Sequence, residues 1–198
     1  AVCIMVFQVL LCAIFIGLAW LYVIGGAISR RSPWSVVRHY GPASLTVVGT
    51  MSSAATLPVS LACARKSKVL SRNTVDFIIP LGATVHLCGS VLTETLFCMT
   101  IAHLYGIQLG IGTMALFALL LGVFAVGAPG VPGGTVMASL GIVIAVLGLQ
   151  DTHTALLLAI FALPDSFGTA CNVTGDGAIA LMVDGMYNPE GKDLQTGD

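Results

Sequence analysis

The chain has 198 residues, of which 57% are hydrophobic and 9% charged, with a formal net charge of -1 and a mean hydropathy of +0.98. A soluble domain carries about 25% charged residues, and a chain this apolar would expose large greasy patches to water. The composition therefore excludes a soluble globular domain, the near-zero charge excludes a nucleic-acid-binding surface, and the bilayer is the solvent that suits the sequence.

Residues 1–28 carry no charged side chain and are long enough to cross about 30 Å of hydrocarbon. The chain opens at Ala1 inside this apolar run, with no basic n-region, so it reads as part of a longer protein and not as a signal peptide. A basic loop follows with Arg30, Arg31 and Arg38. Residues 41–64 are again uncharged, interrupted by Met51-Ser52-Ser53-Ala54-Ala55-Thr56-Leu57-Pro58. A second basic loop carries Arg65, Lys66, Lys68 and Arg72. Residues 77–103 form an apolar segment with polar insertions, and a short linker without Lys or Arg leads to residues 113–149. That segment is broken by Gly127-Ala128-Pro129-Gly130-Val131-Pro132-Gly133-Gly134. Gln150-Asp151-Thr152-His153 links it to a last long segment, 154–183, and to a polar tail, 184–198.

Charge orients these segments. Seven of the eight basic residues flank segment 41–64, and the eighth, Lys192, lies in the tail. Basic loops face the cytoplasm. A segment basic on both sides enters and returns, and halves of near ten residues reach only about 15 Å. The expected form is a re-entrant hairpin over 41–64, a crossing helix to 103, a second re-entrant hairpin from the opposite face over 113–149, and a crossing helix over 154–183. The tail then returns to the cytoplasm. The predicted fold is an all-α membrane protein whose two hairpin-plus-helix units, 41–103 and 113–183, form an inverted repeat behind a transmembrane helix at 1–28. Broken helices in inverted repeats are a signature of secondary transporters, and their tips must face protein or a watery cavity. Pro58 and Pro132 are each expected in the first turn of a half-helix, with free N–H groups that attract an anion such as a carboxylate.

Polar residues sit where an apolar span should have none. Asp165, Thr169, Asn172 and Asp176 are spaced 4, 3 and 4 and share one helical face. A helix end in headgroup water is the plainer explanation, but apolar residues continue to Val183. The other crossing segment carries Thr84, His86, Cys88, Ser90 and Glu94, with His86, Ser90 and Glu94 expected on one face. Buried acids mark ion or substrate paths. No basic side chain lies in these spans, so Glu94, Asp165 and Asp176 are either protonated or joined by a cation, with His86 the one internal alternative. Oxygen ligands of this kind suit a small hard cation. Cys3, Cys12, Cys63, Cys88, Cys98 and Cys171 lie in apolar stretches and read as small hydrophobes, not as disulfides or a zinc site. No nucleophile–base pair has recognisable spacing, so no enzyme and no cofactor are expected.

Four motifs now resemble the dicarboxylate/amino acid:cation symporters, the glutamate transporter family. Ser52-Ser53-Ala54-Ala55-Thr56-Leu57-Pro58 resembles the serine-rich tip of the first hairpin. Pro80-Leu81-Gly82-Ala83-Thr84 followed by His86-Leu87-Cys88-Gly89-Ser90 resembles PLGAT…NMDGT. Gly130-Val131-Pro132-Gly133-Gly134 resembles the second tip, and Asn172-Val173-Thr174-Gly175-Asp176 matches NVTGD. The resemblance implies that 1–28 is the sixth helix of a longer protein, a homotrimer when complete, in the inner or plasma membrane and in contact with lipid. It implies a substrate site of Ser52, Ser53, Ser90, Val131, Gly134, Asp165, Thr169 and Asn172. It implies a cation site of Gly82, Thr84, His86, Asn172 and Asp176, with Na+ at Asp176, Asn172 and Gly82. Glu94 matches a proton carrier, and His86 is a second candidate for that role.

The departures are equally specific. Gly168 stands where the family holds a side-chain carboxylate with arginine, and Met51 supplies no substitute. A buried carboxylate without a partner is costly. A small neutral amino acid is therefore expected as substrate, moved with Na+ or H+. His86, Cys88 and Ala128 replace residues of the family's sodium sites. The alternatives are an acidic amino acid or dicarboxylate symporter, and a non-transporting or degenerate membrane receptor of the same fold.

Overall fold

A computed structural model describes residues 2–191 and Leu194. Among the described residues there are nine helices and no strand, with one isolated bridge between Ser71 and Leu194. By length and composition two stretches can cross a membrane, Ile4–Ser29 and Arg72–Leu104, and the bent pair Asp151–Phe161 and Pro164–Tyr187 makes a third.

α1 (Val2–Ser29) is a single unbroken helix. Phe15, Trp20 and Val23 on it are exposed, while Leu10, Ile14 and Tyr22 sink into the core. Such a face belongs in hydrocarbon or against further protein. α2 (Trp34–Val37) is one turn in the first basic loop. Beside it Arg38 Nε donates to His39 Nε2 at 3.2 Å. Partial burial, with the charges of Arg38 and Lys66, holds the His39 ring below the usual histidine range and leaves that nitrogen free to accept.

α3 (Gly41–Thr50) and α4 (Ser53–Ala64) form the first helical hairpin. Met51 turns the chain in the left-handed region at φ 51°, and Ser52 caps α4 by accepting from Ala55 N at 3.1 Å. The helix start expected at Pro58 is corrected: Pro58 lies inside α4, because a serine N-cap satisfies the free N–H groups earlier in the chain.

α5 (Arg72–Val85) and α6 (Cys88–Leu104) replace the single crossing helix expected over 77–103. The break at His86 and Leu87 frees N–H groups that lipid could not satisfy. A side chain of the last helix supplies a partner, since Asn172 Oδ1 accepts from Gly89 N at 2.7 Å. His86 is thus outside α6 and does not share the helical face of Ser90 and Glu94.

α7 (Ile111–Val126) and α8 (Gly134–Leu147) form the second hairpin. Pro132 sits in the turn before α8 and not within it. Gly133 at φ 71° and Gly148 at φ 67° flank α8 in a conformation that glycine adopts without strain. α9 (Asp151–Tyr187) is longer at both ends than the expected 154–183. It bends by 64° ahead of Pro164, where proline removes a backbone donor. Its last turn takes up residues assigned to the tail, while Lys192 lies outside the described residues.

α9 is the axle, packing against α1, α3, α5 and α6. One apolar core joins the first hairpin to α5 and α9 through Tyr40, Val47, Leu70, Ile79 and Leu181. A second joins the other hairpin to α6 and α9 through Ile101, Phe117, Leu121, Val143 and Phe161. The end of α9 is tied by fully buried Asp184, which pairs with Arg31 and accepts from Ser71 and Thr74. Arg31 also donates to Val69 O at 2.8 Å. The five cysteines with described side chains are free; Cys63, Cys98 and Cys171 are buried, and Cys12 and Cys88 are exposed.

Candidate functional site

The two hairpin tips touch. Ser52 Oγ donates to Gly130 O at 2.7 Å, and Ala54 N donates to the same carbonyl at 3.4 Å. Gly130 also packs against the end of α5, where a Cβ would stand 2.9 Å from Ala83 O. Beneath the contact lies a cavity of ≈ 10 Å³, the space of about one water molecule. Of the expected substrate residues, Ser53, Ser90, Val131, Asp165 and Thr169 line it, together with Met51, Leu87, Pro129, Gly130 and Thr135. Asp165 is the charged residue of that lining.

The polar groups are ordered by α9. Ser90 Oγ donates to Asp165 Oδ1 at 2.8 Å, and Asn172 Nδ2 donates to Ser90 Oγ at 3.0 Å. Thr169 Oγ1 is turned back onto its own helix, donating to Asp165 O at 2.8 Å. Ser53 Oγ and Thr135 Oγ1 are buried and have no hydrogen-bond partner among the described residues. An orphan buried hydroxyl is costly, and both belong to residues of the cavity wall. Gly134, expected in the site, is absent from that wall; Pro129 fills the space where its side chain would be. Ser52 acts at the contact between the tips and not in the lining.

One turn along α6, Glu94 is fully buried. Ser139 of α8 donates to one of its oxygens, while Oε2 has no partner among the described residues. Ser139 and Thr135 both lie in α8 and both escape the sequence reading. Their signal was a four-residue spacing of hydroxyls starting just after Gly133-Gly134.

A second cluster forms some 16 Å of helix away from Asp165. Here Asp176 Oδ1 meets His86 Nδ1 at 2.8 Å, with both side chains largely enclosed. Gly82 lies against the Asp176 carboxyl, and a Cβ there would collide with it. Thr84, expected in this cluster, is exposed and donates to Leu81 O at 2.8 Å. Asn172 bonds to Gly89 N and Ser90 Oγ, which ties it to the start of α6 and to the Asp165 group. Three oxygens of the residues that the family resemblance offers to sodium are already engaged within the protein. Asn172 Oδ1 accepts from Gly89 N, Gly82 O accepts from His86 N at 2.9 Å, and Asp176 Oδ1 holds the imidazole.

Between the clusters α6 and α9 cross glycine on glycine. A Cβ at Gly168 would stand 2.7 Å from Thr93 Oγ1 and 2.9 Å from Gly89 O. Any side chain at 168 would need the two helices to move apart.

A sequence model of the Sodium:dicarboxylate symporter family matches residues 1–186. The chain is 30% identical over 172 residues to Excitatory amino acid transporter 1 of Ambystoma tigrinum, covering 87% of this chain and 31% of that protein. It is 33% identical over 161 residues to Excitatory amino acid transporter 3 of Mus musculus, covering 81% of this chain and 31% of that protein. It is 29% identical over 175 residues to the Putative sodium-dependent excitatory amino acid transporter glt-4 of Caenorhabditis elegans, covering 86% and 35%. The chain spans about a third of the length of these relatives.

Proposed function

This chain belongs to the sodium:dicarboxylate symporter family and is a membrane protein, and from that premise we propose that it is the substrate-carrying part of a secondary active symporter. It moves a small neutral amino acid together with Na+ or H+ across the inner or plasma membrane. Its hairpins enter from opposite faces, its helices cross several times, and the complete protein is a homotrimer.

The observation that carries this is the set of polar groups around the closed, one-water cavity under the touching tips, which an amino acid enters only once the tips part. A zwitterion's ammonium is held by Asp165, already oriented by Ser90. Its carboxylate meets the orphan hydroxyls of Ser53 and Thr135 at the first turns of α4 and α8, where helix N-termini favour negative charge. No lysine, arginine or histidine is among the lining residues, so a second carboxylate would be buried without a partner. The close crossing at Gly168 and Gly89 supports the same choice. Glu94, enclosed and half-satisfied, is the group we assign to carry a coupled proton.

Uptake by the complete protein in proteoliposomes tests this. A cation gradient should be required, and L-alanine or L-serine should outcompete L-aspartate and succinate. Asp165→Asn should lower uptake roughly 10- to 100-fold, the scale of one charge-assisted hydrogen bond. Stronger competition by aspartate or succinate would favour the second reading, an acidic substrate, for which the names of the excitatory amino acid transporters speak. Flux without any gradient would refute symport.

A further inference from the structure

We propose that His86 stands in for the metal ion at Asp176, so that this end of the site closes without sodium. The proposal deepens the symporter reading by assigning which ion position this chain does not use.

The geometry leaves no place for an ion between the two groups. His86 Nδ1 lies 2.8 Å from Asp176 Oδ1. A small hard cation bound to a carboxylate oxygen sits about 2.0–2.6 Å from it and needs several further oxygens around it. The imidazole nitrogen fills that shell position. The hydrogen of the contact lies between ring and carboxyl whichever atom carries it, so the oxygen is taken in either tautomer. The neighbouring oxygens are taken as well. Gly82 O accepts the backbone N–H of His86 at 2.9 Å, and Asn172 Oδ1 accepts that of Gly89 at 2.7 Å. Asp176 Oδ1, Gly82 O and Asn172 Oδ1 are thus each already engaged within the protein.

The ring is also seated, not merely near. A Cβ on Gly175 would stand 2.6 Å from His86 Cε1 and 3.1 Å from Leu21 Cδ2. The glycine of α9 therefore opens a slot that the ring occupies. The helix break at His86 and Leu87 has a reason in this light: continuing α5 into α6 would carry the ring around the helix and away from the slot. The side chain of His86 is 13% exposed and that of Asp176 2%, so the contact replaces water on both sides. A buried carboxyl of this kind must have a partner, and here the chain supplies it from its own sequence.

The test is a sodium titration of the thermal unfolding of the complete protein in detergent, with choline chloride holding ionic strength constant. The wild-type protein and Asp176→Asn should show the same dependence of Tm on sodium, whatever other sites contribute. His86→Asn should add a sodium-dependent rise in Tm that choline does not reproduce. Asp176→Asn in the His86→Asn background should remove that added rise. If Asp176→Asn alone erases a sodium dependence of the wild-type protein, the proposal is overturned. It is equally overturned if folded His86→Asn protein gains none. Should His86→Asn not fold, the comparison of wild type with Asp176→Asn decides alone. Failure here leaves the uptake experiment untouched, because that one reads substrate and gradient and this one reads ion binding at equilibrium.

Discussion

The first hairpin turns in two residues, Met51 and Ser52, and the second in seven, Gly127 to Gly133. The first tip starts its inner helix with a serine side-chain cap, while the second starts with Gly133, which has no side chain to cap with. The contrast extends to the bases. The first hairpin leads into Ser71 and Thr74, both bonded to buried Asp184. The second leads through buried Leu149 to an exposed bond in which Gln150 N donates to His153 Nδ1 at 3.0 Å. The two hairpins are thus held by unequal sets of bonds. The second tip is the more weakly held of the two, and moving parts are drawn from the weakly held end of a structure.

The largest test of this contrast is at the first base. Asp184→Ala leaves the largely enclosed Arg31 without its carboxylate and should cost about 3–5 kcal/mol, read as a fall in Tm and as faster hydrogen exchange around Ser71. If exchange rises equally at Gln150, the bases are not independent and the contrast breaks. Next is Ser52→Ala, which removes both a helix cap and the bond to Gly130. About 2 kcal/mol is expected from a cap and one hydrogen bond, with protease access increasing at residues 127–133 more than at 50–53. Gly133→Ala places a side chain at φ 71° and should weaken the closed second tip by about 1–2 kcal/mol. It should raise the substrate concentration needed for half-maximal uptake without changing Tm by more than a few degrees. The smallest effect is Thr135→Val, expected to weaken carboxylate binding by about 1 kcal/mol and to leave exchange at the first tip unchanged. A larger loss there than in Ser53→Ala would show that the two tips share the load unequally in the opposite sense.

Much of this was legible in the amino-acid sequence. Uncharged runs and the breaks within them marked out the two helix pairs, α3 with α4 and α7 with α8. The spacing of Asp165, Thr169, Asn172 and Asp176 placed them on one face, and the structure buries all four on α9. Other features were hidden for physical reasons. The break at His86 and Leu87 follows from what α9 offers to the freed N–H groups, and a sequence read segment by segment shows no such partner. Thr84 has the same composition signal as its neighbours but faces outward, since an uncharged run does not say which way a hydroxyl points. Arg31 and Asp184 are 153 residues apart, and each taken alone resembles an ordinary loop or tail charge. The approach of Gly89 to Gly168 leaves no trace beyond two glycines among 23.

The bonds from the start of α6 through Asn172 to Asp165 run one way. Gly89 N–H can only donate, so the oxygen of Asn172 must face it, and the amide nitrogen must then face Ser90. That in turn directs the Ser90 hydroxyl toward Asp165. A proton relay needs links that can reverse, and an amide pinned by a backbone donor cannot. Charge therefore does not travel along this line. What the line fixes is alignment: the start of α6 sets the Asn172 amide, and the amide sets the aim of the Ser90 hydroxyl at Asp165.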